Sequence, residues 1–158
     1  MTTFEGMQAP DFILPNEKGE MVSLADFADK KFIVLYFYPK DATPGCTTQA
    51  CDFRDSYEDF SKLNAVILGV SPDSEASHEK FIEKQGLPFS LLVDEDQTVS
   101  KKYDVWKLKK MFGKEYMGIE RTTFLIDPKG TIVKEWRKVK VEGHIKEALE
   151  VLEKLTNA

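Results

Sequence analysis

Two stretches limit the folds open to this chain more than any others: "KFIVLYFY" (31–38) and "NAVILGVS" (64–71). Each has the length of a strand, and neither alternates apolar with polar residues as a half-exposed strand would. Positions 32–37 and 65–70 are apolar throughout, so both strands are expected to be covered on two faces. Between them, residues 47–63 carry Ala50, Phe53, Tyr57 and Phe60 at helical spacing. A strand, a helix and a second buried strand in that order form a parallel crossover, and the fold class is α/β.

Later segments extend the pattern. Residues 74–86 read as a helix, with Ser74 as N-cap and Gly86 as the stop. A third strand follows at 89–95 and a short helix at 96–105. "RTTFLIDPKGTIVKEWRKV" (121–139) reads as two strands around an Asp-Pro-Lys-Gly turn, which makes the central sheet mixed. Residues 142–155 form a closing amphipathic helix, and 11–24 a hairpin near the start. The expectation is a mixed sheet with helices on both faces, built as a single domain over 1–158.

Charge narrows the function classes. Lys and Arg total 22 against 27 Asp and Glu, a net charge of −5. That sign argues against general binding to nucleic acid or to anionic membranes. The lysine-rich "KKYDVWKLKK" (101–110) is a local exception, read as a solvated helix face or loop. No apolar run has the roughly 18 residues of a spanning helix. "MTTFEGMQAPDF" lacks a basic segment followed by an apolar one, so the expected location is the cytoplasm. Thiols stay reduced there, and a cysteine pair is more often catalytic, redox-active or metal-binding than a permanent staple.

The chain has 2 cysteines, both inside "FYPKDATPGCTTQACDFRD" (37–55). Thr43 suits an N-cap and Pro44 the first helical position, which puts Cys46 in the first turn of the following helix. Unpaired N–H groups and the positive end of the helix dipole stabilise a thiolate there. The strand 31–38 leads into this turn, and sites in open α/β sheets gather at such strand ends. Cys46 is therefore a candidate reactive thiol; the alternative is a small residue filling the core.

Cys51 lies five residues on. Five helical steps separate Cα atoms by about 8.7 Å, whereas a disulfide needs roughly 4.4–6.8 Å. Either the two sulfurs never bond, or the helix start unwinds first. Cys51 is also off the apolar stripe, nearer solvent. A zinc site would want four ligands, and His78 and His144 are far away in sequence, so no metal is expected. A thioredoxin-type oxidoreductase would want Cys-x-x-Cys. A redox sensor using the same pair, or a binding domain with inert cysteines, stays open at this point.

"PKDATPGC" resembles the Pro-x-x-x-Thr-x-x-Cys signature of the peroxiredoxins. "PGCTTQACDFRD", with "GVSPDSEASHEKF" (69–81), "LLVDED" (91–96), "YDVWKLKKMFGKEYMGIERTTFLID" (103–127) and "GHIKEALEVL" (143–152), is similar to the bacterioferritin comigratory protein, or peroxiredoxin Q, subfamily. The resemblance implies a thioredoxin-like fold with an N-terminal β-hairpin extension. It also implies a thiol peroxidase acting on hydrogen peroxide and organic hydroperoxides without a cofactor. By position, Cys46 matches the peroxidatic and Cys51 the resolving cysteine. Pro39, Thr43 and Arg121 match the pocket residues, with Thr43, Cys46 and Arg121 meeting substrate. Cys46 and Cys51 would form a redox-active disulfide, reduced by thioredoxin or a similar dithiol, and the subfamily suggests a monomer. One position departs: Gln49 stands where the family usually has a Glu that helps to position the arginine.

Overall fold

The structure is a computed structural model and describes residues 3–157. A central five-stranded sheet holds strands β3 (Phe32–Phe37), β4 (Ala65–Ser71), β5 (Ser90–Val93), β8 (Thr122–Ile126) and β9 (Ile132–Trp136). Their order is β5-β4-β3-β8-β9. β3, β4 and β5 run parallel, whereas β8 is antiparallel to β3 and β9 antiparallel to β8. The mixed, thioredoxin-like sheet expected from the sequence is the sheet found. β1 (Ile13–Pro15) and β2 (Met21–Ser23) form the N-terminal hairpin.

The apolar runs are two-faced, as their composition requires. Val34, Tyr36, Ile67, Leu91 and Leu125 point into one core. That core is closed by Ala50 and Phe53 of α1 (Pro44–Asp55), Phe60 of α2 (Tyr57–Lys62), Phe81 of α3 (Glu75–Gln85), and Ile145, Ala148 and Leu152 of α5 (His144–Thr156). Ile33, Leu35, Phe37, Leu68, Val70, Phe124 and Ile126 point into the other. There the cover is thinner: Val99 of α4 (Thr98–Lys102), the loop residues Tyr103 and Val105, the hairpin residue Leu14, and Leu24 and Phe27 of a short 3-10 helix. Successive strand residues alternate faces, so one apolar run serves both cores.

Some boundaries differ from the sequence reading. The helix starts at Pro44, where the Thr43–Pro44 pair placed it, but the periodic stretch over 47–63 breaks at Ser56 into α1 and α2. The lysine-rich 101–110 is not a single helix face or loop. Its second half enters β6 (Trp106–Met111), which pairs with β7 (Lys114–Ile119) in a separate hairpin. Phe112 and Gly113 at its tip both have positive φ, 52° and 77°, the geometry of a tight two-residue hairpin turn. Four of the β6 and β7 residues with large apolar side chains, Leu108, Met111, Tyr116 and Met117, are exposed. With burial confined to Ile119 at the end of β7, these strands carry no buried period to read.

Candidate active site

β3 ends at Phe37, and the chain turns through Pro39, Asp41 and Thr43 into α1. Pro44 stands at the first helical position. Cys46 follows in the first turn, where N–H groups have no partner four residues back. Its side chain is 2% exposed, and the thiol is free. Alternation in the neighbouring strand brings the cation: Phe37 of β3 pairs with Thr122 of β8. Arg121, one residue before, thereby lies beside the turn that carries Cys46.

The guanidinium forks. Arg121 Nη2 donates to Cys46 Sγ at 3.2 Å, and Nη1 donates to Gln49 Oε1 at 2.5 Å. Gln49, fully buried on the turn of α1 after Cys46, thus orients the arginine without neutralising it. Its Nε2 has no hydrogen-bond partner among the described residues, a cost a carboxylate at this position would not carry. The sulfur, in the first turn of a helix, thus receives a charged donor.

Gly45 leaves room for the guanidinium. A Cβ there would meet Arg121 Nη2 at 3.3 Å. The sequence reading treated Gly45 only as part of the turn. Lys109 of β6 is a second residue it missed. A cavity of about 360 Å³ opens beside Arg121, lined by Lys107, Leu108 and Lys109, by Glu120, and by Lys138 and Val139. Burial and then repulsion from Arg121 lower the Lys109 pKa below the usual lysine value. The 104–120 segment thus borders the site through the base of its hairpin.

Thr43 occupies the N-cap position but does not cap with its side chain. Its hydroxyl donates to the Lys40 carbonyl at 2.9 Å, and its own carbonyl accepts the first helical bond from Thr47. The expected acceptance from a helix N–H is corrected accordingly: the hydroxyl proton braces the turn instead. Pro39 is half-buried, two residues beyond the end of β3.

Cys51 stands apart from this group. It is half-buried on the same helix, and its Sγ donates to Gln85 Oε1 at 3.4 Å, on the last turn of α3. Arg54 Nη1 reaches the Gln85 carbonyl at 2.7 Å. Both cysteines lie within α1, so the intact helix keeps them beyond disulfide reach. Neither histidine joins them. His78 contacts Asp41 and the Leu92 carbonyl, and His144 contacts Thr123. Among the described residues the one grouping of metal-ligating side chains, Asp41, Asp73 and His78, contains no cysteine.

A thioredoxin-like sheet with a free helix-start cysteine beneath an arginine has the architecture of a thiol peroxidase. Residues 6–135 match the AhpC/TSA family, and the chain belongs to that family. It is 61% identical over 156 residues to peroxiredoxin Bcp of Bacillus subtilis, covering 99% of both chains. A putative peroxiredoxin bcp of Coxiella burnetii is 54% identical over 144 residues, 91% of this chain and 95% of that one. Peroxiredoxin Q of Xanthomonas campestris superposes with a TM-score of 0.90 at 44% identity, over 98% and 99% of the two chains. A bacterioferritin comigratory protein from the same organism, described for alkyl peroxide reduction and solved as trapped intermediate and ligand complexes, gives 0.87 at 45% over 92% of each.

Proposed function

We propose that the protein reduces hydrogen peroxide and organic hydroperoxides, with Cys46 as nucleophile and Cys51 as resolving thiol. The 3.2 Å contact from Arg121 Nη2 to Cys46 Sγ carries this reading. Cys46 thiolate attacks the terminal peroxide oxygen. A new S–O bond forms, the O–O bond breaks, and the alkoxide or hydroxide that leaves is protonated from solvent. Sulfur becomes a sulfenic acid. Negative charge moves from sulfur to the leaving oxygen, and a guanidinium already aimed at the sulfur stabilises both ends of that path. The Thr43 proton is committed to Lys40. The oxygen keeps lone pairs, so it serves as an acceptor for the peroxide O–H. Pro39, which has no N–H, walls the thiolate from water.

Resolution requires the first turns of α1 to unwind. Cys51 thiolate then attacks Cys46 sulfenic sulfur, forming the Cys46–Cys51 disulfide and expelling hydroxide, which becomes water. Exchange with thioredoxin or a similar dithiol restores both thiols. With both cysteines on one chain, a monomer suffices. Among the described residues no helix is long and apolar enough to cross a membrane, and two redox-active thiols fit a reducing compartment such as the cytoplasm.

Peroxide-dependent NADPH oxidation with thioredoxin and its reductase tests the cycle. Turnover by wild type and none by Cys46→Ser is the expected result. A single oxidation of Cys46 with no turnover under any dithiol would turn the reading toward a sensor.

A further inference from the structure

The turn that carries Pro39 and Thr43 is not relaxed. Ala42 sits at φ 64°, in the left-handed region that costs any residue with a Cβ. Such a conformation persists only when its surroundings hold it. Here the holder is a buried polar network that the cysteine chemistry does not use.

Asp41 is its centre. Oδ1 accepts from the Tyr38 hydroxyl at 2.5 Å. Oδ2 accepts from Ser77 Oγ at 2.8 Å and lies 2.7 Å from His78 Nδ1. The Asp41 N–H donates to Asp73 Oδ2 at 2.8 Å, and that oxygen also accepts from Ser71 Oγ at 2.7 Å. His78 Nε2 is 2.9 Å from the Leu92 carbonyl. A carbonyl can only accept, so Nε2 carries a hydrogen. Every strong donor and acceptor around Asp41 is thus matched, and His78 is wholly buried. Burial first, then the charges of Tyr36 and Asp41, hold the Tyr38 phenol pKa well above its usual range, so it stays a donor.

By residue type, Asp41, Asp73 and His78 would also suit a cation. Both Asp41 oxygens and Asp73 Oδ2 are instead occupied by protein donors. The network's attachments explain its use better. Ser77 and His78 belong to the first turns of α3, Leu92 to β5 and Ser71 to β4. Asp41 therefore ties the turn to three elements of the rigid core.

We propose that Asp41 and His78 are positioning residues for peroxide reduction: they lock the strained 39–43 turn so that Pro39 and Thr43 meet the peroxide at Cys46. This rests on the peroxidase reading above. Neither residue touches substrate. Their loss is felt where the peroxide must be oriented, because small misplacements of a pocket cost rate steeply. It is not felt where a reagent needs only the thiolate.

The test compares two reactions of one thiol in a Cys51→Ser background. The first is oxidation of Cys46 by hydrogen peroxide; the second is alkylation by iodoacetamide at the same pH. In Asp41→Asn and His78→Gln, oxidation is expected to slow by about 10–100-fold, with alkylation unchanged within about twofold. Should either variant fail to fold, Ser77→Ala removes a single hydroxyl from the same oxygen, and a selective loss in oxidation of about threefold or more is expected. Oxidation equal to that of the background protein overturns the proposal. So does an equal fall in both reactions, which would mean a general effect on the thiolate or the fold. If the background protein itself does not react with peroxide, the peroxidase reading fails and the inference with it.

Discussion

Removing the Arg121 guanidinium is the sharpest single perturbation of the site. Arg121→Ala deletes the Nη2 donor at 3.2 Å from sulfur and leaves Gln49 Oε1 buried without its partner. Loss of one aimed donor to developing charge in a dry site costs about 2.7–4 kcal/mol, or about 100- to 1,000-fold in rate. The second-order rate constant for Cys46 oxidation should fall by that factor. Arg121→Lys keeps a point charge but cannot hold the sulfur and Gln49 at once, since the planar fork is lost. Its rate should lie between, about 10-fold below wild type. Rapid-quench oxidation followed by mass analysis of Cys46 gives the rate directly, free of the resolving and recycling steps. Alkylation should fall in Arg121→Ala as well, because this cation acts on the thiolate itself. An Arg121→Ala rate within about threefold of wild type would refute the assignment of transition-state stabilisation to this contact.

Further outcomes follow from other positions. Gly45→Ala should slow Cys46 oxidation about 10-fold, because its Cβ would crowd Arg121 Nη2 at 3.3 Å, while helix propensity raises stability by up to about 1 kcal/mol; kinetics and a denaturant melt on one sample separate the two. Gly69→Ala should destabilise by about 1–3 kcal/mol, since its Cβ would lie 2.7 Å from Leu91 Cδ2 and 2.9 Å from Tyr36 Cζ; a urea midpoint equal to wild type would contradict the packing. His144 is buried, with its Nε2 2.8 Å from Thr123 Oγ1. Burial above all, opposed by Glu147 and aided by Arg121, lowers its pKa from 6.5 to about 4. The unfolded chain then binds more protons between those values, so His144 stabilises fully above pH 6.5 and loses that contribution as pH falls toward 4. The loss is about 3 kcal/mol, and His144→Gln should flatten the stability profile across that window by a similar amount.

What the sequence disclosed depended on whether the cause was local. Thr43, Pro44 and Gly45 before Cys46 announce a helix start, and the start lies where they put it. The apolar runs at 31–38 and 64–71 announce a doubly covered sheet, because burial on two faces leaves no polar period. The contact from Arg121 to Cys46 spans 75 residues and depends on the register of β8 against β3, which no local pattern encodes; a family resemblance alone pointed to it. The Asp41–His78 pair spans 37 residues and was invisible for the same reason. Thr43 shows a subtler limit. Its residue type fits a cap, but the choice between a helix N–H and the Lys40 carbonyl is set by the tight turn around Ala42. Gly45 was read only as part of the turn, whereas its use is the absence of a side chain beside the guanidinium.

Peptide mapping after one equivalent of hydrogen peroxide tests the central claim most directly. The account predicts that wild type becomes a Cys46–Cys51 disulfide, lighter by two hydrogens, and that residues 46–51 lose amide protection as α1 opens. Cys51→Ser should instead gain oxygen on Cys46, and Cys46→Ser should remain unmodified at Cys51. A Cys46–Cys51 disulfide with the first turns of α1 still protected would contradict the unwinding step. Oxidation that begins at Cys51, or that persists in Cys46→Ser, would contradict the assignment of the nucleophile.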